Sequence, residues 1–303
     1  MFKIQSFVFG IAIVAILQAG CDAPEPSTGS ADDAIQAVYE GKLTLSQAQA
    51  SCGGHLELVP MGGTVFHFGF DLSQTPPASY PFQSTVANVH VSIAEAPITR
   101  LFDIRSDANG KWSFTAIKVK GKPLPISVVY ELAGYVTTKS QVFEVGDSGI
   151  TDVAVQFPTE AYFSLAKGQI EQQIGALIGV PYTLSNVLVT TVGKAWASMY
   201  SAQLPHGDPG AQVSITPAIT FPTSLGPIYF NESVAPDPTL TTTSVDGGVL
   251  FGNLGSGSYT VTATKALFTY ASLNFVVEDD IGLYVASPPH ATQGTNDSPP
   301  GQP

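Results

Sequence analysis

The chain has 303 residues and a formal net charge of −12, with 44% hydrophobic but only 12% charged residues, about half the charged share of an ordinary globular protein. Twelve Lys and Arg against 24 Asp and Glu give a pI near 4.6, so the overall field repels phosphate backbones and argues against nucleic acid as a partner. Twenty-nine Gly and 23 Pro cut the apolar residues into short runs, which argues against a helical bundle or a disordered polyelectrolyte and for many strands and turns.

At the N-terminus, Lys3 precedes the charge-free run Phe7 to Leu17, followed by Gln18-Ala19-Gly20-Cys21. Eleven apolar residues are too few to span a bilayer as a helix and fit the core of an export signal. The segment resembles the signal of a bacterial lipoprotein, whose lipobox places small residues before a cysteine. Gln18 stands where that family carries Leu. The resemblance implies a signal peptide over 1–20 and lipidation of Cys21, with several acyl chains anchoring the protein to a membrane on the extracytoplasmic side. The alternative is secretion after cleavage near Cys21 without a lipid. Residues 21–54 read as a Pro-, Ser- and acid-rich tether and a short helix. Cys52, with no cation close in sequence to activate it, reads as a small apolar residue.

From Gly62 the pattern has period two. Phe66, Phe68 and Phe70 alternate with His67 and Gly69, and Ala87, Val89, Val91 and Ile93 with Asn88, His90 and Ser92; each reads as a strand with one buried face. Further strands are expected at Ile98 to Arg105, Lys111 to Ile117, Ile126 to Glu131, Ser140 to Val145 and Thr151 to Phe157, separated by Asp/Asn/Gly turns. Over Ala161 to Ile178 the period changes: Phe163, Ile170, Ile174, Leu177 and Ile178 fall at helical spacing, predicting an amphipathic helical connector over 159–181. Strands resume at Asn186 to Val192, Ala211 to Ile215, Gly226 to Phe230, Leu240 to Val245, Val249 to Phe251, Tyr259 to Lys265, Ser272 to Glu278 and Gly282 to Ala286.

Ser106-Asp107-Ala108-Asn109-Gly110-Lys111-Trp112-Ser113-Phe114 and Ser244-Val245-Asp246-Gly247-Gly248-Val249-Leu250-Phe251 are each an Asp/Asn/Gly turn before a strand with an aromatic. With Ala211 to Ile215 and Asn253-Leu254-Gly255-Ser256-Gly257-Ser258-Tyr259-Thr260-Val261-Thr262-Ala263, the second half resembles the carboxypeptidase regulatory-like domain, a transthyretin-like sandwich. That resemblance implies non-catalytic accessory or adhesive modules. The expected architecture is mainly β: two tandem antiparallel Greek-key sandwiches over 55–158 and 182–288, joined by the helical connector, with a disordered tail over 289–303.

Four constellations bear on chemistry. Gly146-Asp147-Ser148-Gly149 is the core of a serine-protease motif but ends in Ile150 and reads as a turn. His55, His67 and His90 lack the close spacing of a zinc site. Glu278-Asp279-Asp280 offers oxygens for calcium without a calcium-loop pattern, and reads equally as a solvated turn. Trp112, Trp196 and Tyr200 would form a sugar platform if exposed and coplanar. No catalytic set or metal site assembles at motif level, and no cofactor is expected. The sequence therefore points to a lipid-anchored binding or adhesive module of the cell envelope, contacting an envelope protein or glycan, with a carbohydrate-binding accessory protein or a hydrolase of unrecognised site as alternatives. The candidate ligand loops are Ser198 to Ala211, with Tyr200, His206 and Asp208, and Ser73 to Gln83, with Tyr80.

Overall fold

In a computed structural model, which describes residues 13–15, 34, 37–38, 42–51, 54–81, 83–95, 103–197, 199–200, 205–279 and 281–286, the apolar runs become strands. Cys21, Cys52, Asp280, the tether over 21–33 and the tail over 289–303 lie outside those residues. In chain order the elements are β1 (Ile13–Ala15), α1 (Leu45–Ser51), β2 (Leu56–Phe68), β3 (Phe70–Asp71), β4 (Ala78–Ser79), β5 (His90–Ile93), β6 (Lys111–Val119), β7 (Leu124–Ile126), β8 (Val128–Glu131), β9 (Thr138–Ser140), β10 (Phe143–Val145) and β11 (Ile150–Pro158). After α2 (Glu160–Ile178) come β12 (Val187–Thr191), β13 (Gln212–Thr216), β14 (Leu225–Phe230), β15 (Pro236–Asp237), β16 (Gly248–Gly252), β17 (Gly257–Thr264), β18 (Leu273–Val277) and β19 (Leu283–Val285). The fold is mainly β and built from several sheets.

An eight-stranded sheet in the order β15-β14-β16-β12-β19-β9-β8-β5 forms the middle of the molecule. Its strands alternate between two cores. Val128, Tyr130, Val187, Ile228, Phe230, Leu250, Leu283 and Val285 face one, while Val129, Leu188, Tyr229, Val249, Phe251 and Tyr284 face the other. Covering both faces explains why these segments read as near-continuous apolar runs. The sheet β1-β6-β2-β11 contributes Met61, Val65, Trp112, Phe114, Val153, Val155 and Phe157 to the first core. The sheet β13-β17-β18 contributes Val213, Ile215, Val261, Phe275 and Val277 to the second. The strand β13 keeps the period-two pattern, with Val213 and Ile215 buried between exposed neighbours, because one face meets solvent, whereas β2 buries Met61 to Phe66 in succession.

The central sheet passes through the boundary expected at 159–181. Strands β9 and β19, from opposite sides of it, pair in parallel with Thr138 opposite Leu283 and Ser140 opposite Val285. Four pairs among the described strands are parallel, β1 with β6, β2 with β11, β12 with β19 and β9 with β19; the others are antiparallel. Ile13–Ala15, inside the segment with export-signal character, lies beside β6 with Ile13 opposite Thr115.

Several expected strands differ: Ser140 to Val145 divides between β9 and β10, and Ile126 to Glu131 between β7 and β8, in each case across two sheets. Leu240 to Val245 forms no strand, because Thr243 is spent on the neighbouring loop: its hydroxyl accepts from the Ala211 amide and donates to the Asp208 carbonyl. The segment from Ala87 enters β5 only at His90, since Asn88 takes a left-handed φ of 62° that interrupts extended backbone. The helical period survives intact in α2. Thr159 caps it by accepting from the Tyr162 amide, and Gly179, at φ 74°, ends it in the left-handed conformation that glycine adopts without steric cost.

Candidate apolar cleft and its aromatic shoulder

After β11 the chain turns into α2, and Ile170 and Ile174 dock the helix beside the central sheet. Only these two helix residues are fully buried, so the seal between helix and sheet is incomplete. The result is a cleft lined on the helix side by Tyr162, Phe163, Ala166, Lys167 and Ile170, and on the sheet side by Val187, Val189, Phe230, Leu250, Leu283 and Val285. Phe68, Pro158, Val234 and Pro236 also line it, with Gln156, Thr190 and Thr191 among its polar members. The cavity measures about 70 Å3 where the centre of a water molecule fits, within about 750 Å3 of empty space that includes open solvent.

Lys167 is the single charged residue of the lining, and its ammonium lies 3.1 Å from a Glu171 carboxylate oxygen one turn along the helix. That carboxylate has a second hold, accepting from the Leu184 amide at 2.7 Å. Burial pushes the Glu171 carboxyl up, but the Leu184 amide and Lys167 outweigh it and keep it below its ordinary value. Near Tyr162 sits Asp246, whose carboxylate accepts from the Gly248 amide at 3.0 Å. Burial raises the Asp246 carboxyl above its usual range, and that amide only partly offsets it.

The end of β2 forms an aromatic shoulder beside the cleft. Phe68 meets the Tyr162 ring edge-on with centroids 5.7 Å apart, and Phe70 lies 6.0 Å from the same ring. The other face of β2 carries His67, stacked on Tyr80 at 4.1 Å and hydrogen-bonded through Nδ1 to the Tyr135 hydroxyl at 3.2 Å. Burial lowers the His67 pKa, with Asp71 opposing it, and pushes the Tyr135 hydroxyl up to about 12. Tyr80 is thus part of a packed aromatic group beside the cleft, on the neighbouring face of the strand.

The Ser198 to Ala211 loop, whose residues 199–200 and 205–211 are described, lies against β2 and β11. The Tyr200 hydroxyl lies 3.4 Å from Thr64 Oγ1 and from the Val153 carbonyl, its ring meets Phe66 edge-on at 5.7 Å, and Gln83 donates to the Met199 carbonyl at 3.0 Å. Tyr200 keeps 44% of its surface exposed. His206 meets Trp196 edge-on at 6.0 Å. Asp208 is only 2% exposed and accepts from Lys265 and from the Tyr270 hydroxyl, so its carboxylate serves the fold. The four residues of the two loops make separate contacts: Tyr80 with His67, Tyr200 with Phe66, His206 with Trp196, and Asp208 with Lys265 and Tyr270.

The remaining chemical candidates are likewise engaged. Asp147 of the Gly-Asp-Ser-Gly turn pairs with Lys118, which also donates to Glu57 at 2.7 Å. His90 lies 3.4 Å from Glu131, Lys139 holds Glu278 at 2.9 Å, and Asp279 accepts from Ser256. No group of three metal-ligating side chains occurs among the described residues. Trp112 is 3% exposed, stacked on Phe114 in the core, so it cannot share a surface platform with Trp196 and Tyr200. Sequence reasoning missed the cleft itself. Its available signal was the near-continuous apolar β12, β14, β16 and β19 runs beside the apolar positions of α2.

No protein-family model and no curated protein matches the chain. Among solved structures it is similar to the Bacillus anthracis TIE protein, at 14% identity and a TM-score of 0.21 over 78% of this chain, which spans about a third (34%) of that one. It is similar to the shaft pilin SpaA of Lactobacillus rhamnosus GG, at 11% identity and a TM-score of 0.22 over 78% of this chain and 99% of that one. It is also similar to GBS52, the minor pilin of Streptococcus agalactiae, at 9% identity and a TM-score of 0.24 over 80% and 100% of the two chains. The superposition is slight in every case, and nothing about this chain's activity follows from it. Among the described residues, no helix is long and apolar enough to cross a membrane.

Proposed function

We propose that this protein is a non-catalytic binding or adhesive module of the bacterial cell envelope, held to a membrane on its extracytoplasmic side by a lipid on Cys21, with a second half of carboxypeptidase regulatory-like character. The export-signal pattern from Lys3 to Cys21 supports the location. One observation carries the binding reading: the acids, lysines and histidines that catalysis would draw on are held in contacts of the fold, at Lys118 with Asp147 and Glu57 and at Asp208 with Lys265 and Tyr270, while the concave surface beside α2 is apolar. Apolar concavities with few polar groups are the usual form of binding sites. An envelope protein or glycan is the partner class.

Detergent-phase partitioning and intact mass of the native protein and of Cys21→Ala test the anchor. Acylated mass and detergent partitioning lost in Cys21→Ala are expected; aqueous recovery of both proteins contradicts it. Capture of envelope components by the full chain, run beside an esterase, glycosidase and peptidase screen, tests the rest. Turnover abolished by Ser148→Ala or by replacing His67 and His90 would overturn the non-catalytic reading.

A further inference from the structure

We infer that the cleft between α2 and the central sheet binds a single unbranched acyl chain, with an anionic headgroup at Lys167. The inference rests on the binding reading and names the ligand class of one site in it. Three observations carry it. The walls are hydrocarbon, from Phe163, Ile170, Val187, Leu250 and Leu283, so the occupant is apolar along its length. The space is small: water-sized groups fit only within about 70 Å3, which favours one slender chain over a bulky occupant. Finally, the one charged lining residue is a lysine, in a chain with twice as many acids as bases, and its partner Glu171 is independently held by the Leu184 amide. A carboxylate or phosphate can therefore take the Lys167 ammonium without leaving Glu171 unpaired. An apolar side chain from a protein partner would fill the same walls but has no use for that cation.

The lipid carried on Cys21 brings acyl chains without an anionic headgroup, so the occupant is a free amphiphile, and the experiment separates the two. The full chain, delipidated, is titrated with straight-chain fatty acids from hexanoate to dodecanoate, with the matching alkanols and with a sterol. Saturable one-to-one binding is expected, tightening about fourfold per added methylene until the cleft is full, then levelling. Ala166→Trp, which fills the cleft from the helix side, should weaken octanoate at least tenfold. Lys167→Gln should weaken octanoate severalfold and leave octanol unchanged, a readout that loss of folding would not give.

Protein purified from its own membranes should carry acyl mass in the cleft. Occupancy that persists in Cys21→Ala is expected of a free amphiphile, and occupancy that disappears assigns the cleft to the chain's own lipid and overturns the headgroup at Lys167. Absence of saturable binding, affinity flat with chain length, equal binding of the sterol, or indifference to Ala166→Trp overturns the inference. If envelope capture persists while octanoate fails to bind, the acyl site falls and the binding-module reading stands; loss of capture with octanoate binding intact is the reverse.

Discussion

At the scale of single residues, two aspartates respond to pH in opposite senses. The Asp147 carboxyl is held below its ordinary 3.8 by hydrogen bonds from Lys118 and by its surroundings at Glu57 and Gly121, so its contribution to stability is present above 3.8 and is lost as pH falls through the lowered value. The Asp246 carboxyl is raised by burial, so the folded state holds a proton more tightly than the unfolded one. Its ionisation therefore removes stability as pH rises from 3.8 through the raised value. Asp246→Asn, which keeps an oxygen for the Gly248 amide, should raise the melting temperature at pH 7. That gain should shrink as pH falls toward 3.8, as thermal melts across the range would show. Lys118 gives a second residue-level expectation. Its ammonium is fully buried, while Glu57 and Asp147 keep 24% and 57% of their side chains exposed. Lys118→Met leaves two carboxylates that water can reach, whereas Glu57→Gln with Asp147→Asn leaves a buried cation without a counter-charge. The double variant should lower the melting temperature more than Lys118→Met does.

At the scale of elements, period two and the change to helical period were legible where an element has one wet face, as β13, β18 and α2 do. The helix expected over Ala161 to Ile178 is Glu160–Ile178, with its cap at Thr159 and stop at Gly179. The expected apolar stripe was too wide at one position: Leu177 is 71% exposed, while Ile170 and Ile174 are buried and Phe163 and Ile178 pack against the same core. Ile170→Ala should therefore cost about 2–5 kcal/mol, measurable by urea unfolding, while Leu177→Ala should change stability by less than about 0.5 kcal/mol. The parallel pairing of β2 with β11 was not legible, because partner choice depends on residues about 90 positions apart and leaves no local period. Gly63 marks that pairing: a Cβ there would lie 2.0 Å from the Val153 carbonyl oxygen. Gly63→Ala should destabilise by ~3 kcal/mol, and no cost in urea unfolding would contradict the β2–β11 register.

At the scale of the whole molecule, the repeated Asp/Gly turns read as two tandem sandwiches, and both turns are present. Asp107 accepts from the Asn109 and Lys111 amides, and Asp246 from that of Gly248. What the repeat could not reveal is that strands from both halves enter one sheet. The hint lay in the runs Val187 to Val189 and Leu283 to Val285, which lack polar alternation because alternate residues enter different cores. The cleft was not legible: neither Tyr80 nor Tyr200 lines it, and it is made by helix and strand residues that each look like ordinary core. The same sharing fixes the cleft, since Phe68 and Pro158 come from one side of the connector and Phe230, Leu250 and Leu283 from the other.

The central claim is that the shared sheet makes 55–158 and 182–288 one cooperative body. Native-state hydrogen exchange of the full chain against denaturant tests it directly, read at the amides of β8 and β9 in the first half and of β12, β16 and β19 in the second. The account predicts that all these amides open with one free energy and one denaturant dependence, that of global unfolding. Two separate opening free energies, with β12, β16 and β19 exchanging while β8 and β9 stay protected, would contradict it.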